Sequence, residues 1–376
     1  AVGKTPGADF DNILAFGGRK RCNLADDGTV NAYFGDAGYK EDGSNGQVMA
    51  EQPKFYYKVV PLQLESITNG IGYHLRKARY YVSDVSKPGF KIHPAFVRNG
   101  VVKDKIYLSA YEGSIYDESA GTYLLNDEQV ADFDNDKLSS IADAKPCSGL
   151  TQNLTRANTR KLAENRGAGW QQKDVLCASA SQMLMVIEYA SFNTQANIGS
   201  GVAGRPSGEG NEADITGLTT HLGNTSGSVE AGSVSYRGEE NFWGNIWEYV
   251  DGLNVYADPS TRKTDAYWAV EDFSDDTGSA PYKHVGFNLA PNADGYISAF
   301  GWSEECDFLF LPTEVLGSSN LPVGDRFFNT QTGWRAARFG GYWGSFSAYV
   351  GAFCWSMTIA SDYSNRTVGG RLVYIP

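Results

Sequence analysis

The chain has 376 residues, of which 41% are apolar and 20% charged, as in folded globular proteins rather than disordered chains. Its formal net charge of -12 argues against binding to nucleic acid or to an anionic membrane surface, since both depend on concentrated Lys and Arg. No apolar run approaches the ~20 residues that span a bilayer, so membrane insertion is not expected. The five cysteines stand singly, which predicts packed free thiols rather than a disulfide framework or a zinc knuckle.

The first part of the chain, residues 1–47, is polar and rich in turn signals such as Asp42-Gly43-Ser44-Asn45-Gly46, which predicts an arm packed on the rest. Runs of β-branched and aromatic residues then predict strands at 55–60, 78–82 and 105–109. Helical signals come only in the middle. Thr155 is placed to cap a helix over 156–166. Residues 179–192 carry apolar residues at spacings of three and four, which predicts a helix with one buried stripe.

The second half begins with a Gly/Ser/Thr-rich stretch, Gly199 to Gly232, that is too poor in apolar residues to be a buried element. Loops of this length are usually functional or pinned down by packing. Seven of the eight Trp follow after residue 242. Short strands are predicted at 296–300 and 371–375. The fold class is therefore α+β, with short twisted sheets, two helices and long ordered loops.

Enzyme signatures are sparse. The four His form no His-x-x-x-His pair, and the chain has neither a Gly-x-Ser-x-Gly elbow nor a phosphate-binding loop. The adjacent carboxylates Glu239-Glu240 and Glu304-Glu305 would point to opposite faces of a strand, so solvated surface charge is the better interpretation. We predict no enzyme and no cofactor. Candidate ligands for a structural Ca²⁺ or Mg²⁺ ion, without a calcium-binding loop, are Asp275, Asp276 and Asp307.

The most specific pattern lies between Tyr236 and Gly252. Its Trp residues supply large buried area, its Gly permits close backbone approach, and its Asn and Glu need partners if buried. We interpret as scaffold Trp243, Gly244, Asn245, Trp247 and Glu248. This segment resembles the Gly-Asn-Val/Ile-Trp-Glu-Trp/Tyr signature of the formylglycine-generating-enzyme branch of the C-type lectin fold.

The C-terminal segment, 333–374, carries a second resemblance. It begins Gly333-Trp334-Arg335-Ala336-Ala337-Arg338-Phe339-Gly340-Gly341-Tyr342-Trp343 and ends Val368-Gly369-Gly370-Arg371-Leu372-Val373-Tyr374. It resembles the variable region of proteins diversified by retroelements, the family of the phage tropism determinants. There a template is copied with errors at adenines, so Asn codons become codons for many residues, but not for Lys, Glu, Gln, Met or Trp. The window 339–374 has no Lys, Glu or Gln, whereas Met357 departs from the rule.

The resemblance implies a C-type-lectin-like domain over 48–376 whose variable region is 334–374. The arm, 1–47, would serve oligomer contact or attachment. Whether residues 48–145 form a separate β-subdomain stays open. Residues of scaffold type in the variable region are Trp334, Arg338, Gly340, Gly341, Trp343, Phe353, Trp355, Gly369, Gly370 and Arg371.

The residues between them have the composition of an antibody paratope, in which rigid aromatic side chains alternate with adaptable polar ones. On the resemblance, the ligand-binding face would consist of Tyr342, Gly344, Ser345, Phe346, Tyr349, Ser356, Thr358, Ile359, Asp362, Tyr363 and Thr367.

The function that this resemblance implies is binding without catalysis. The partner would be a protein or glycan receptor on a target cell, and the location a phage tail tip or a cell surface. Family members can be trimeric. One alternative is an oxidase of the formylglycine-generating type, but its catalytic members hold copper with two nearby cysteines, and Cys354 stands alone. The other is a purely structural virion protein, whose aromatic face would lie inside an oligomer interface.

Overall fold

The computed structural model describes residues 1–127, 130–330 and 332–376. The strands in chain order are β1 (Lys20–Leu24), β2 (Val30–Tyr33), β3 (Gln47–Pro53), β4 (Tyr56–Ser66), β5 (Tyr73–Ser83), β6 (Lys91–Ile92), β7 (Val97–Arg98), β8 (Val101–Val102), β9 (Lys105–Ser109), β10 (Ser114–Asp117), β11 (Thr122–Leu124), β12 (Lys137–Ser139), β13 (Trp170–Gln172), β14 (Gly227–Ser228), β15 (Val234–Tyr236), β16 (Glu239–Glu240), β17 (Trp247–Ala257), β18 (Thr264–Trp268), β19 (Lys283–Asn288), β20 (Asp294–Tyr296), β21 (Ala299–Trp302), β22 (Pro312–Glu314), β23 (Arg326–Asn329), β24 (Gly333–Phe339), β25 (Trp355–Ile359), β26 (Val368–Gly369) and β27 (Leu372–Tyr374). The α-helices are α1 (Leu14–Gly17), α2 (Arg156–Glu164), α3 (Val175–Tyr189) and α4 (Thr194–Asn197), and 3₁₀ helices lie at Pro94–Phe96, Thr220–Leu222 and Ser347–Tyr349.

Strands predominate and form three larger sheets, which confirms the α+β prediction. The largest has eight strands in the order β19-β18-β17-β24-β25-β23-β20, with β26 paired in parallel to β17. A six-stranded sheet follows the order β13-β27-β9-β3-β1-β2, and a five-stranded sheet follows β22-β21-β5-β4-β6. None of the described helices is long and apolar enough to cross a membrane.

Helix α3 lies at the centre of the main hydrophobic core, which also takes in residues of all three larger sheets: Tyr57, Leu108 and Val250 among them. The helix begins at Val175, because Asp174 caps it by accepting the N–H groups of Leu176 and Cys177, both at 2.9 Å. The prediction of a start at 179 and of a single buried stripe is therefore wrong. Packing on all sides buries almost the whole surface of α3.

Helix α2 begins where the sequence predicts. The Thr155 hydroxyl accepts the N–H of Asn158 at 3.2 Å, and the helix ends at Glu164, two residues before the predicted end at 166. The strand predicted at 296–300 is wrong as a single unit. It divides into the end of β20 and the start of β21, which belong to different sheets.

The N-terminal residues share a sheet with the C-terminal strand. Strand β1 pairs with β3, β3 with β9, and β9 with β27, so that Met49 lies opposite Ser109 and Leu108 opposite Val373. Residues 1–47 and 48–145 are thereby joined to the last strand of the chain. The role of 1–47 in oligomer contact or attachment stays a prediction.

The surface-charge interpretation of Glu239-Glu240 is wrong, since both side chains are buried. The strand alternation points the two side chains to opposite faces of β16, and other parts of the chain cover both. The Glu239 carboxylate pairs with Arg19 and accepts the Ser181 hydroxyl, whereas Glu240 accepts the N–H of Thr219 at 2.6 Å. The other pair, Glu304-Glu305, is exposed as predicted.

Candidate functional site

The Trp-rich signature is held by a buried polar network. The carboxylate of Glu248 accepts hydrogen bonds from Arg371 and from Lys173, whose Nζ is 3.1 Å away. The Asn245 side chain donates to Glu112 at 2.9 Å and accepts the N–H of Asp214 at 2.7 Å. The prediction that Asn245 and Glu248 find partners is confirmed. These bonds tie the signature to β27 and to the loop at 199–232.

The eight-stranded sheet has an inner and an outer face around β24 and β25. Phe339, Trp355 and Met357 point inward and join the core around α3. Arg338 and Ser356, which alternate with them, lie on the outer face, where the Arg338 Nε donates to the Ser356 hydroxyl at 3.1 Å. Met357, the residue that departs from the composition expected of a variable window, is part of this core.

A single row of residues crosses five strands of this sheet. Strand pairing places Tyr249 of β17 opposite Arg338, Arg338 opposite Ser356, Ser356 beside Phe328, and Phe328 opposite Asp294 of β20. Neighbouring strands lie ~4.8 Å apart, so the row is about 19 Å wide. Two loops of the C-terminal segment, 340–350 and 360–367, lie beside this row, and we call the whole the outer face.

The first loop, 340–350, reverses the chain at Gly340 and Gly341, both in the left-handed region with φ of 95° and 88°. A Cβ on Gly341 would lie 2.1 Å from Cγ1 of Val350, so this turn requires glycine. Beyond the turn, the Trp343 side chain is buried, and the backbone N–H of Trp343 donates to the Asn245 carbonyl at 3.0 Å. The loop is therefore anchored from below while its tip is free.

The second loop, 360–367, is also held by the body of the protein. The Tyr249 hydroxyl donates to the Tyr363 carbonyl, and the Trp247 N–H donates to the Thr367 carbonyl at 3.0 Å. The Ser364 hydroxyl donates to the carbonyl of Gln152 at 3.1 Å. Loops fixed in this way lose little conformational freedom when a partner binds.

An aromatic cluster surrounds Arg326 on the outer face. The guanidinium lies 4.1 Å from the ring centre of Tyr349 and 5.4 Å from that of Tyr296. The Phe346 ring lies 5.0 Å from Tyr349, and its side chain is 70% exposed. Phe328 completes the cluster, at 6.4 Å from Tyr349. Cation–π contacts of this kind hold exposed aromatic rings in defined positions.

The residues predicted to bind ligand do not all reach the surface. Phe346 and Asp362 are exposed. Ser356 and Ile359 are buried, so they offer no surface to a partner, and this part of the prediction is wrong. Ser356 lies under Arg338, and Ile359 packs in the cluster around Trp247. Half-buried on the outer face are Tyr342, Gly344, Ser345, Tyr349, Thr358, Tyr363 and Thr367.

The predicted scaffold residues are buried with two exceptions. Trp334 is half-buried and packs against the rings of Tyr256 and Tyr267, at 5.0 and 5.5 Å. Arg338 is half-buried and lies on the outer face, and its assignment as scaffold stays a prediction. The other residues assigned to the scaffold are buried: Trp243, Gly244, Asn245, Trp247, Glu248, Gly340, Gly341, Trp343, Phe353, Trp355, Gly369, Gly370 and Arg371.

Several outer-face residues were not predicted. Tyr296, Arg326 and Phe328 come from β20 and β23, which precede the C-terminal segment 333–374, while Ser347 and Ala348 form the exposed tip of the first loop. The run Arg326-Phe327-Phe328 is a strand signal visible in the sequence. Only the pairing of β23 with β25 brings it beside the C-terminal segment.

Cys354, considered for oxidase chemistry, and Asp276 and Asp307, considered as metal ligands, are packed or ion-paired in the structure. Burial, with a smaller effect of Asp325, raises the pKa of the Cys354 thiol well above its ordinary value. A protonated thiol is a poor nucleophile and metal ligand. Asp276 pairs with Arg156, and Asp307 pairs with Lys91 at 2.9 Å. Within the described ranges, no three His, Cys, Asp or Glu side chains form a group that could hold a metal ion.

Comparison with known proteins gives one kind of match. No family model matches the chain, and no curated protein does. Among solved structures, the chain is similar to the Major Tropism Determinant U1 variant, with 12% identity, a TM-score of 0.32, and coverage of 95% of this chain and 72% of that one. The M1 variant has 12% identity and a TM-score of 0.32, with coverage of 95% of this chain and 71% of that one. The P3c variant has 13% identity and a TM-score of 0.30, with the same coverages of 95% and 71%. Superposition at this level does not by itself establish a common fold.

Proposed function

We propose that this chain is a non-catalytic receptor-binding protein whose outer face, built from the C-terminal segment, takes a receptor on a target cell. One observation carries the proposal. Within the window 339–374, residues of scaffold type are buried, while the Tyr, Phe, Ser, Thr and Asp between them gather on one side of the sheet. Separation of a fixed frame from a paratope-like surface is what a binding protein with a changeable specificity requires.

The finer part of the proposal concerns the origin of that surface. The fold would be of the C-type lectin type, in the formylglycine-generating-enzyme-like branch, and the outer face would be diversified by a retroelement. Support comes from the signature around Gly244-Asn245-Ile246-Trp247-Glu248 and from the absence of Lys, Glu and Gln between 339 and 374. The protein would then act at a phage tail tip or on a cell surface.

The outer face has the physical properties of a protein-binding surface. Tyr342, Phe346 and Tyr349 provide large contact area at low entropic cost, because each side chain has only two rotatable bonds and two of them already pack together. The loops carrying them are tied to buried residues such as Asn245. Binding energy would therefore be concentrated in a few preordered aromatic side chains.

The direct test compares two pairs of tyrosines in a binding assay on cells. The labelled chain is incubated with cells of the microbial community from which the gene came, and captured cells are counted and sequenced. We expect Tyr349→Ser with Tyr363→Ser to abolish capture. Matched controls are Tyr73→Ser with Tyr81→Ser on the β4–β5 hairpin, which are 42% and 40% exposed and lie outside the outer face.

The same variants separate the alternatives. A purely structural virion protein would keep its aromatic face inside an oligomer, so the Tyr349 and Tyr363 variant would dissociate the assembly in size-exclusion chromatography with light scattering. A receptor-binding protein would keep its mass and lose only capture. Copper binding with oxidation of a peptide cysteine would instead support the oxidase.

A further inference from the structure

Arg338 lies at the centre of the outer face and has no acidic partner among the described residues. It is half-buried on β24, and its guanidinium lies 4.8 Å above the ring of Trp247. Within the described chain its hydrogen bonds go to two hydroxyls, those of Ser356 at 3.1 Å and Thr358 at 3.3 Å. A guanidinium has five N–H donors, so these two bonds leave Nη1 without a protein acceptor.

Every fully buried arginine of the described chain, by contrast, pairs with a carboxylate. These arginines are Arg19, Arg21, Arg98, Arg156, Arg160, Arg166, Arg237 and Arg371. The pattern follows from the free-energy cost of removing a charge from water, which proteins offset by pairing each buried charge with one of opposite sign. Arg338 is half-buried rather than fully buried, and like Arg335 it has no such pair within the described residues, in a chain with 44 acidic residues.

The groups around Arg338 do not supply the missing negative charge. Those that act on it electrostatically are the phenols of Tyr363, Tyr249 and Tyr342 and the thiol of Cys354, none of them carboxylates. Burial consequently lowers the pKa of the Arg338 guanidinium. For Arg371, burial acts in the same direction, but Glu248, Glu112 and Glu239 outweigh it and raise the pKa.

The geometry suits a planar anion. The Trp247 ring covers one face of the guanidinium, and the two hydroxyls fix its orientation, so the guanidinium is preorganised. A carboxylate accepts two parallel N–H bonds from such a group, an arrangement stronger and more directional than a contact with lysine. Aromatic side chains beside it would exclude water from the pair, as hot-spot surroundings do in protein interfaces.

We infer that Arg338 is an anchor for a carboxylate of the receptor, and that the carboxylate belongs to an Asp or Glu side chain of a protein. This inference rests on the proposed function and names the chemistry of its partner. The accessible part of the outer face runs from Arg338 across three strand spacings to Asp294, about 14 Å, and continues to the exposed Phe346, an extent that suits a protein patch better than a single sugar. The partner would then provide the negative charge that pairs with Arg338.

The first experiment uses acetate as the probe and the full chain as the protein. The Arg338 Nε–H is hydrogen-bonded, so its ¹⁵N-HSQC cross-peak should be observable, and it is assigned by its loss in Arg338→Gln and in Arg338→Lys. At constant ionic strength, we expect acetate to shift this peak along a saturating curve and acetamide to leave it unmoved. A linear drift, or an equal response to acetamide, would overturn the carboxylate site.

The second experiment identifies the source of the carboxylate. Peptide arrays carrying Asp and Glu, each paired with its amide form, are probed with the wild type, with Arg338→Gln and with Arg335→Gln. Arg335 is the matched control, since it also lacks an acidic partner but donates to Thr332 and Trp334 of its own strand region. We expect the wild type and Arg335→Gln to bind acid-form peptides about tenfold more tightly than the matching amide-form peptides. Arg338→Gln should show no such preference.

Two other outcomes would overturn parts of the inference. Binding of N-acetylneuraminic acid without acid-form peptides would overturn the protein source, and equal peptide binding by Arg338→Gln would overturn the anchor. Acetate binding is independent of cell capture. If acetate binds as expected but the variant with Tyr349→Ser and Tyr363→Ser still captures cells, the proposed function fails and the acetate site stands. If that variant loses capture but acetate does not bind, this inference fails and the proposed function stands.

Discussion

The carboxylate of Glu248 and the guanidinium of Arg371 form a buried ion pair with an Nε–Oε1 distance of 2.5 Å, and the two side chains are 2% and 0% exposed. This pair joins the Trp-rich signature on β17 to the last strand of the chain. Arg371 also donates to the Glu240 and Asn241 carbonyls, at 2.7 and 2.9 Å. The frame beneath the outer face is thus closed by residues far apart in sequence.

Glu248→Gln tests that frame. It leaves the positive charges of Arg371 and Lys173 buried with their carboxylate removed, so we expect the free energy of unfolding to fall by about 3–5 kcal/mol in urea titrations. The matched control is Glu305→Gln, which breaks the exposed pair with Lys283 at 3.6 Å and should leave stability nearly unchanged. Equal losses in the two variants would show that the buried pair does not hold the frame.

Glu112 gives the protein a pH-dependent stability. Burial raises the pKa of this carboxyl from 4.5 to about 8, against the opposing effect of Arg371. Between pH 4.5 and about 8, the unfolded chain releases this proton while the folded chain keeps it, so folding loses stability as the pH rises. The contribution is fully present below pH 4.5 and is lost at the upper end of that range.

The Glu112→Gln variant should therefore reduce the slope of the free energy of unfolding against pH, by up to about 1.4 kcal/mol per pH unit between pH 4.5 and about 8. The amide oxygen of Gln can still accept from Asn245, so the fold is retained. Asp325, whose pKa burial raises to about 7, acts in the same direction and remains in both proteins. Unfolding in urea at pH 5, 6, 7 and 8 measures the difference, and parallel curves for the two proteins would contradict it.

Gly341→Ala tests the turn that begins the first loop. It adds left-handed strain of about 1–2 kcal/mol and a clash with Val350 that costs on the order of 1–3 kcal/mol more. Gly333→Ala is the matched control, because its φ is 91° and a Cβ there has nothing within 4 Å. We expect Gly341→Ala to be the more destabilising in thermal unfolding. The same loss in both variants would mean that the Val350 contact relaxes freely.

Phe346 and Trp343 separate binding from folding within the first loop. Phe346→Ser should change the free energy of unfolding by no more than ~0.5 kcal/mol, because the side chain is exposed, and it should weaken capture of target cells. Trp343→Ala should cost about 3–5 kcal/mol, because it leaves a cavity beneath the loop. A stable Trp343→Ala protein that fails only in capture would contradict the division into frame and outer face.

The sequence is most informative where the determinants are local. The Thr155 cap, the strand at 105–109 and the buried Trp of the signature follow from residue type and spacing, and the structure has them there. The start of α3 was missed because burial on every side removes the apolar stripe that the prediction relied on. Its cap, Asp174, was a visible signal that was not used.

Pairing over long distances accounts for the remaining errors. Glu239 is buried because Arg19, 220 positions earlier, pairs with it. Nothing local in the sequence distinguishes it from a surface acid such as Glu304. Residue type alone, on which the scaffold interpretation of Arg338 rests, does not say on which face of the sheet Arg338 lies. Its place on the outer face depends on the parity of β24 relative to the core, which only the packing of Ala337 and Phe339 fixes.

Sequencing of this gene's 3′ end across the population from which it came tests the central claim most directly. The account predicts that substitutions cluster at adenines of a template copy and fall on Tyr342, Phe346, Tyr349 and other outer-face positions. Buried positions of the frame, such as Trp343, should stay constant. Variation spread evenly along the gene, or substitutions at buried frame positions as frequent as those on the outer face, would contradict it.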